Sequence, residues 1–317
     1  MLHSRHLCRH LHTAARRIPL AYELHRPPTS NASTSHNATP TRPILFLHGF
    51  LGLKRENRHV SREVFLLFLN RLLAKDLSRP VYALDMRNHG ESGHHPKHDY
   101  MEMALDVKYF IERHQLRSPT VIGHSMGAKT ALTLSLESPT LVKDVVAIDN
   151  CPIRLPLESD FARYLEGLAR LGDERITDYS QADRILTRYE KSPAIRAWLI
   201  SNLHKKPDTP FLQLRVPVET LSTAIRPLGE FPYRVDEGSE AIRQFNCRVL
   251  FLRALQSNFI PESALPLIKA FFPSSEIVDI DCGHWIVQEK PEEFRKSELH
   301  TLRFVYCWVE LTYVPGL

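Results

Sequence analysis

The sequence predicts an α/β fold, a mostly parallel, doubly wound sheet with a helical cap inserted late in the chain. Three observations carry this. Short continuous apolar runs alternate with segments whose apolar residues recur at helical spacing, the pattern of parallel strands covered by helices on both faces. The alternation breaks after Pro152 and resumes near residue 247, which marks an insertion. The segment Gly123-His124-Ser125-Met126-Gly127 closes one apolar run and opens a helix, so a single serine stands on a sharp strand-to-helix turn.

Taken in order, residues 18–25 (IPLAYELH) read as a first strand, and residues 26–43 are a polar loop punctuated by proline. Residues 43–49 (PILFLHG) form an apolar run ending in glycine, as expected of a buried parallel strand. Between 57 and 77, Val60, Val64, Leu67, Phe68, Leu72 and Leu73 recur at helical spacing. Residues 80–85 (PVYALD) are the next strand and 99–114 the next helix. The strands 120–125 and 144–149 then flank a helix beginning at Met126. Residues 155–240 are charged and read as helical, with 159–171 and 194–206 the clearest segments. Beyond them lie a strand at 247–255, a helix at 264–272 and a last strand within 275–285.

The expected organisation is a leader at 1–17, a core at 18–154, a helical cap at 155–240 and the rest of the core at 241–317. A chain of 317 residues can bury the core this requires. The leader carries Arg5, Arg9, Arg16 and Arg17 with no acidic residue before Glu23, the composition of a mitochondrial transit peptide. No run of about 18 apolar residues predicts a membrane span, which leaves peripheral association open. The net charge of +5 is mild, and no Lys/Arg cluster interleaved with aromatics points to nucleic acid. Five scattered cysteines without a C-x-x-C pair indicate reduced thiols, with neither a disulfide framework nor a zinc site. The sequons at Asn31 and Asn37 follow no signal-peptide core and are read as chance.

The chemistry centres on Ser125. Gly123 and Gly127 provide the small flanking positions that a tight nucleophile turn needs, and the helix N-terminus favours developing negative charge. A serine hydroxyl requires a base. Of 17 histidines, His284 is singled out because it follows the last strand, at the same sheet edge as Ser125. His48 and His124 suit the shaping of loops. For the carboxylate that orients the base, Asp149 ends a buried strand and is favoured over Glu262, which lies in the loop after the later strand, where Asn258 stands in place of an aspartate. Asp279 and Asp281 lie too close to His284 in the chain to reach its ring. The amides of Met126 and Phe50 are the expected oxyanion donors, with Gly49 allowing close approach. Asp85, Arg87 and Gly90 are expected to brace the loops.

The motifs LFLHGF, ALDMRNHGES, GHSMGA and DCGHW, in this order, resemble the α/β-hydrolase superfamily across residues 43–295. The pairing of GHSMGAKTA with VVAIDNCP is similar to the subgroup of mitochondrial ethanol acetyltransferases, mitochondrial α/β-hydrolase-domain proteins and small bacterial esterases. That resemblance implies an acid after the strand following the nucleophile, hence a triad of Ser125, Asp149 and His284, and mitochondrial residence. Two segments depart from the subgroup: 63–71 reads as extra sequence, and 297–317 reads as a strand where a short closing helix is expected. The expected activity is a serine hydrolase acting on a carboxylic ester or thioester through an acyl-enzyme. The alternative is alcohol O-acetyltransfer from acetyl-CoA to ethanol. Neither needs a metal or bound cofactor, acetyl-CoA being a substrate. A non-catalytic mitochondrial binding protein is the rival of another class.

Overall fold

The computed structural model describes residues 17–28, 42–54, 65–157, 159–234 and 243–297. The expected leader (save Arg17), most of the 26–43 loop, residues 57–64 of the first expected helix and the departing segment beyond Ser297 lie outside the described residues.

Among the described residues seven strands form one sheet: β1 (Tyr22–His25), β2 (Ile44–Leu47), β3 (Val81–Leu84), β4 (Thr120–His124), β5 (Asp144–Ile148), β8 (Val249–Ala254) and β9 (Ser275–Ile280), with β6 (Leu203–Lys205) and β7 (Leu212–Leu214) elsewhere. Their spatial order is β1-β3-β2-β4-β5-β8-β9. Among the described residues, only the β1–β3 pairing within this sheet is antiparallel. Parallel neighbours require crossovers, which α1 (Phe65–Asp76), α2 (Tyr100–Arg113), α3 (Met126–Glu137) and α8 (Leu265–Phe271) provide.

The central strands are largely apolar because both faces are buried. Leu45, Leu47, Val121, Val145, Ala147, Val249 and Phe251 join one apolar layer. Their alternating neighbours Ile44, Phe46, Ile122, Val146, Ile148, Leu250 and Leu252 join the other. Helix α3 is buried along nearly its whole length, between the sheet and α2.

Between β5 and β8 the chain leaves the sheet and forms α4 (Ser159–Asp173), α5 (Tyr179–Leu186), α6 (Pro193–Ile200) and α7 (Val218–Leu228). The expectation of an all-helical insertion needs correction. After α6 the chain extends into β6 (Leu203–Lys205), which pairs antiparallel with β7 (Leu212–Leu214). Helix α6 therefore stops at Ile200, and His204 and Lys205, read as helical from the sequence, lie in a strand.

Candidate active site

The register of the sheet sets the site. In the β4–β5 pairing Gly123 lies opposite Ala147 and His124 opposite Ile148, so the two strands end flush. Ser125 and Asp149 are the next residues on each. Ser125 N donates to Ile148 O at 2.9 Å, and Asp149 N donates to Leu252 O at 2.9 Å. The two side chains are thus presented at one edge.

Ser125 has φ 54° and ψ −112°, a conformation that costs a non-glycine residue on the order of 1–3 kcal/mol. It is tolerated because the turn is fixed on both sides and α3 begins at once with Met126. The two flanking glycines are dictated by contact. A Cβ on Gly123 would lie 2.2 Å from Gly127 O, and one on Gly127 would lie 2.3 Å from Leu47 O. The helix therefore starts against the end of β2 in a gap no side chain fits.

His284 follows β9, pairs with Asp149 and lines the same pocket as Ser125. Its Nδ1 lies 2.7 Å from Asp149 Oδ2, and this carboxylate is fully buried. The second oxygen, Oδ1, accepts from Ala254 N at 3.1 Å. Asp149 itself has φ 45°, a second backbone outlier within the site. Against a carboxylate, Nδ1 carries the proton and Nε2 is left with its lone pair. Phe259 stacks on the imidazole at 4.2 Å between centroids and 25° between planes. His124 Nε2 lies 2.9 Å from His284 O, and burial pushes the His124 pKa down to about 4. A neutral His124 donating to that carbonyl fixes the backbone of His284 without adding a charge.

The other carboxylates considered from sequence lie elsewhere. Glu262 is exposed and paired with Arg253. Asp279 also pairs with Arg253, and Asp281 accepts from Gln256.

The loop 48–54 is folded back on itself at Gly49. Gly49 O accepts from Gly52 N at 3.0 Å and faces His48 Nδ1 at 2.7 Å. Phe50 and Met126 are both buried, and no backbone carbonyl accepts from either amide among the turn hydrogen bonds of the described residues. Bracing comes from the loop after β3, as expected for Asp85 and Arg87. Asp85 accepts from Lys54 N and Lys54 Nζ, each at 2.6 Å, and from Glu91 N at 2.8 Å. Gly90, at φ +58°, leaves room for that carboxylate. Arg87 Nε donates to Asp106 Oδ2 at 2.6 Å in full burial. Met86 N donates to His48 Nε2 and Leu51 N to His89 Nε2, both at 3.0 Å. Burial lowers the pKa of both histidines, and as neutral rings they serve as acceptors.

A pocket of about 620 Å³, its open mouth included, runs over Ser125 and His284. Gly49, Phe50 and Trp285 line it from the core, and Phe161, Trp198 and Ser201 from the insertion. Among the described residues no group of three His, Cys, Asp or Glu side chains is arranged to hold a metal ion.

The chain has counterparts among known proteins. Residues 42–291 match the family model described as alpha/beta hydrolase fold. The chain belongs to the α/β-hydrolase family. Within it, an abhydrolase domain-containing protein of Schizosaccharomyces pombe is 36% identical over 278 residues, covering 87% of this chain and 98% of that protein. A probable alcohol acetyltransferase of Saccharomyces cerevisiae is 37% identical over 278 residues, covering 83% and 78%. A solved structure titled as a marine microorganism esterase superposes with a TM-score of 0.75 at 24% identity, covering 89% of this chain and 99% of its own.

In this α/β-hydrolase, Ser125 and Asp149 directly follow the C-terminal ends of β4 and β5, and His284 follows β9. Sequence reasoning missed Phe259, Trp198, Phe161 and Ser201. Phe259 sits in the very loop searched for an acid, and its signal is an aromatic next to a proline-bounded turn. The other three lie in the insertion, where helical spacing gives no indication of which face meets the core.

Proposed function

We propose that the protein is a serine hydrolase that cleaves a carboxylic ester or thioester through an acyl-enzyme. The observation carrying this is the strained Ser125 at a helix N-terminus, with the buried Asp149 at the adjoining strand end paired to the partly exposed His284. His284 Nε2 takes the Ser125 hydroxyl proton as Oγ attacks the acyl carbon. Asp149 stays ionised and stabilises the imidazolium. The Phe50 and Met126 amides receive the oxyanion. On collapse the imidazolium proton goes to the leaving alcohol or thiol, leaving the acyl group on Oγ. An acceptor R–OH then loses its proton to His284, attacks the acyl carbon and releases Oγ, which regains the proton. With water the product is an acid, and with an alcohol it is a new ester. The cycle is complete with protein groups alone and calls on no metal or bound cofactor.

The alternative is alcohol O-acetyltransfer, acetyl-CoA plus ethanol giving ethyl acetate and CoA. It is favoured by similarity to proteins named alcohol or ethanol acetyltransferase, including ethanol acetyltransferase 1 of Cyberlindnera fabianii, 31% identical over 300 residues, 89% of this chain and 85% of that protein. The acid-free Arg-bearing leader supports a mitochondrial location for either activity. No described helix is long and apolar enough to cross a membrane.

Full-length protein and Ser125→Ala, offered acetyl-CoA and ethanol and separately p-nitrophenyl acetate, test the reading. Serine-dependent acetate supports the hydrolase, and serine-dependent ethyl acetate the transferase. Folded protein that forms neither and escapes fluorophosphonate labelling would instead be a binding protein.

A further inference from the structure

Three consecutive peptide groups beside the nucleophile are held by named partners, and one of the partners comes from the insertion. In the Gly49–Phe50 peptide, Gly49 O faces two donors, Gly52 N and the ring N–H of His48. A trans peptide is planar, with C=O and N–H on opposite sides, so fixing Gly49 O aims the Phe50 N–H the other way. In the Phe50–Leu51 peptide, Leu51 N donates to His89 Nε2 at 3.0 Å. In the Leu51–Gly52 peptide, Gly52 N is the donor to Gly49 O, and Leu51 O accepts from Asn202 Nδ2 at 2.9 Å. Leu51 has φ 59°, so this backbone rests in a region a leucine leaves readily unless both of its polar groups are restrained.

Asn202 is fully buried just after α6 and two residues before His204 in β6. Its Nδ2 faces two carbonyls, Leu51 O and Leu199 O, so the reversed amide would set an oxygen against both and is excluded. Its Oδ1 has no partner among the described residues. A buried unmet acceptor costs stability, and a side chain placed there for packing alone would be apolar. The amide is there for its donor.

Building on the serine-nucleophile reading, we infer that Asn202 is a positioning residue that holds the oxyanion amide of Phe50 in place from the insertion. It does so through the Leu51–Gly52 peptide. If that peptide turns, Gly52 N leaves Gly49 O, and the Gly49–Phe50 plane loses one of its two restraints. Trp198 and Ser201, on the same turn as Asn202, line the pocket. Seating of the insertion over a substrate is thereby tied to completion of the oxyanion site.

The test compares the full-length wild type with Asn202→Leu, and with Asn202→Asp, which keeps the shape while removing the donor and serves if the leucine variant does not fold. Active sites are counted by fluorophosphonate end-point titration, p-nitrophenyl acetate turnover is measured per titrated site, and inhibition by an aryl trifluoromethyl ketone reports on the oxyanion. The expected result is kcat per site reduced by about 10- to 100-fold, less than or near the loss of one oxyanion donor, with KM within about twofold and the ketone weakened by a similar factor. A lower melting temperature with unchanged kcat per site, or a raised KM alone, overturns the inference while leaving Ser125 as nucleophile. A wild type that fluorophosphonate does not label overturns that nucleophile and this inference together.

Discussion

Asp149 uses its two oxygens for two different donors, the ring N–H of His284 and the backbone N–H of Ala254. An asparagine would keep the shape and replace one acceptor by an amide. Facing Ala254, that amide meets another donor; facing His284, it forces the ring proton onto Nε2, where it blocks uptake of the Ser125 proton. Asp149→Asn is therefore expected to lower kcat by about 10³- to 10⁴-fold with little change in KM. Glu262→Gln, altering only an exposed ion pair with Arg253, is expected to stay within about twofold. Steady-state ester hydrolysis by both variants decides between the two carboxylates; the opposite ranking would return the role to Glu262. Ser125 and Asp149 stood out in the sequence because each directly follows a buried strand. A buried apolar run that stops at Ser125 or Asp149 delivers the next side chain to the sheet edge. Phe259 and Asn202 were not legible, since each acts from a loop whose path only the folded chain defines.

At the scale of elements, α3 carries a feature that the nucleophile turn does not explain. Lys129, one turn after Ser125, is fully buried, with Nζ 5.3 Å from the centre of the Tyr100 ring and 3.2 Å from Glu230 O. Burial pushes its pKa down to about 8 from the usual 10.5. At neutral pH the ammonium is charged in both folded and unfolded chains, and the folded state bears its desolvation. Between about 8 and 10 the folded chain binds fewer protons than the unfolded one, so this group makes stability rise with pH. The neighbouring Tyr100, whose pKa burial raises, acts in the opposite sense above about 10, where the unfolded phenol ionises. Lys129→Met is thus expected to melt higher than wild type at pH 7, with the difference shrinking toward pH 10. Melting curves at pH 7, 8, 9 and 10 check this. A methionine variant less stable at pH 7 would mean that the contacts to Glu230 and Tyr100 outweigh desolvation. The bounds of α2 and α3 were foreseen within a residue or two. The β6–β7 hairpin was not, because three-residue strands carry too little alternation to stand out from a helical pattern.

Across the whole molecule, the sheet was legible and the closure of the site was not. Parallel order followed from runs buried on both faces, whereas the seating of the insertion depends on aromatic contacts between distant segments. Phe161 meets Phe50 at 5.7 Å and Tyr164 at 6.0 Å, Tyr164 meets Trp198 at 6.0 Å, and Trp198 meets Trp285 at 4.8 Å, all edge to face. Trp285 adjoins the His284 ring at 6.0 Å. This seam joins the insertion to the loop of Phe50 on one side and to the candidate base on the other. Once an acyl group sits on Ser125, water and alcohol compete for the same carbon with the same base, so the outcome depends on which of them reaches it. Trp198 forms the seam's contact with Trp285, and its removal is expected to open an aqueous path beside His284. In Trp198→Ala, with p-nitrophenyl acetate as donor and ethanol fixed, the ratio of acetate to ethyl acetate is expected to rise about threefold or more, while nitrophenol release changes less. Quantifying both products by gas chromatography checks this against the wild type. An unchanged ratio with slower nitrophenol release would assign Trp198 to acyl binding and leave water access to the open mouth of the pocket.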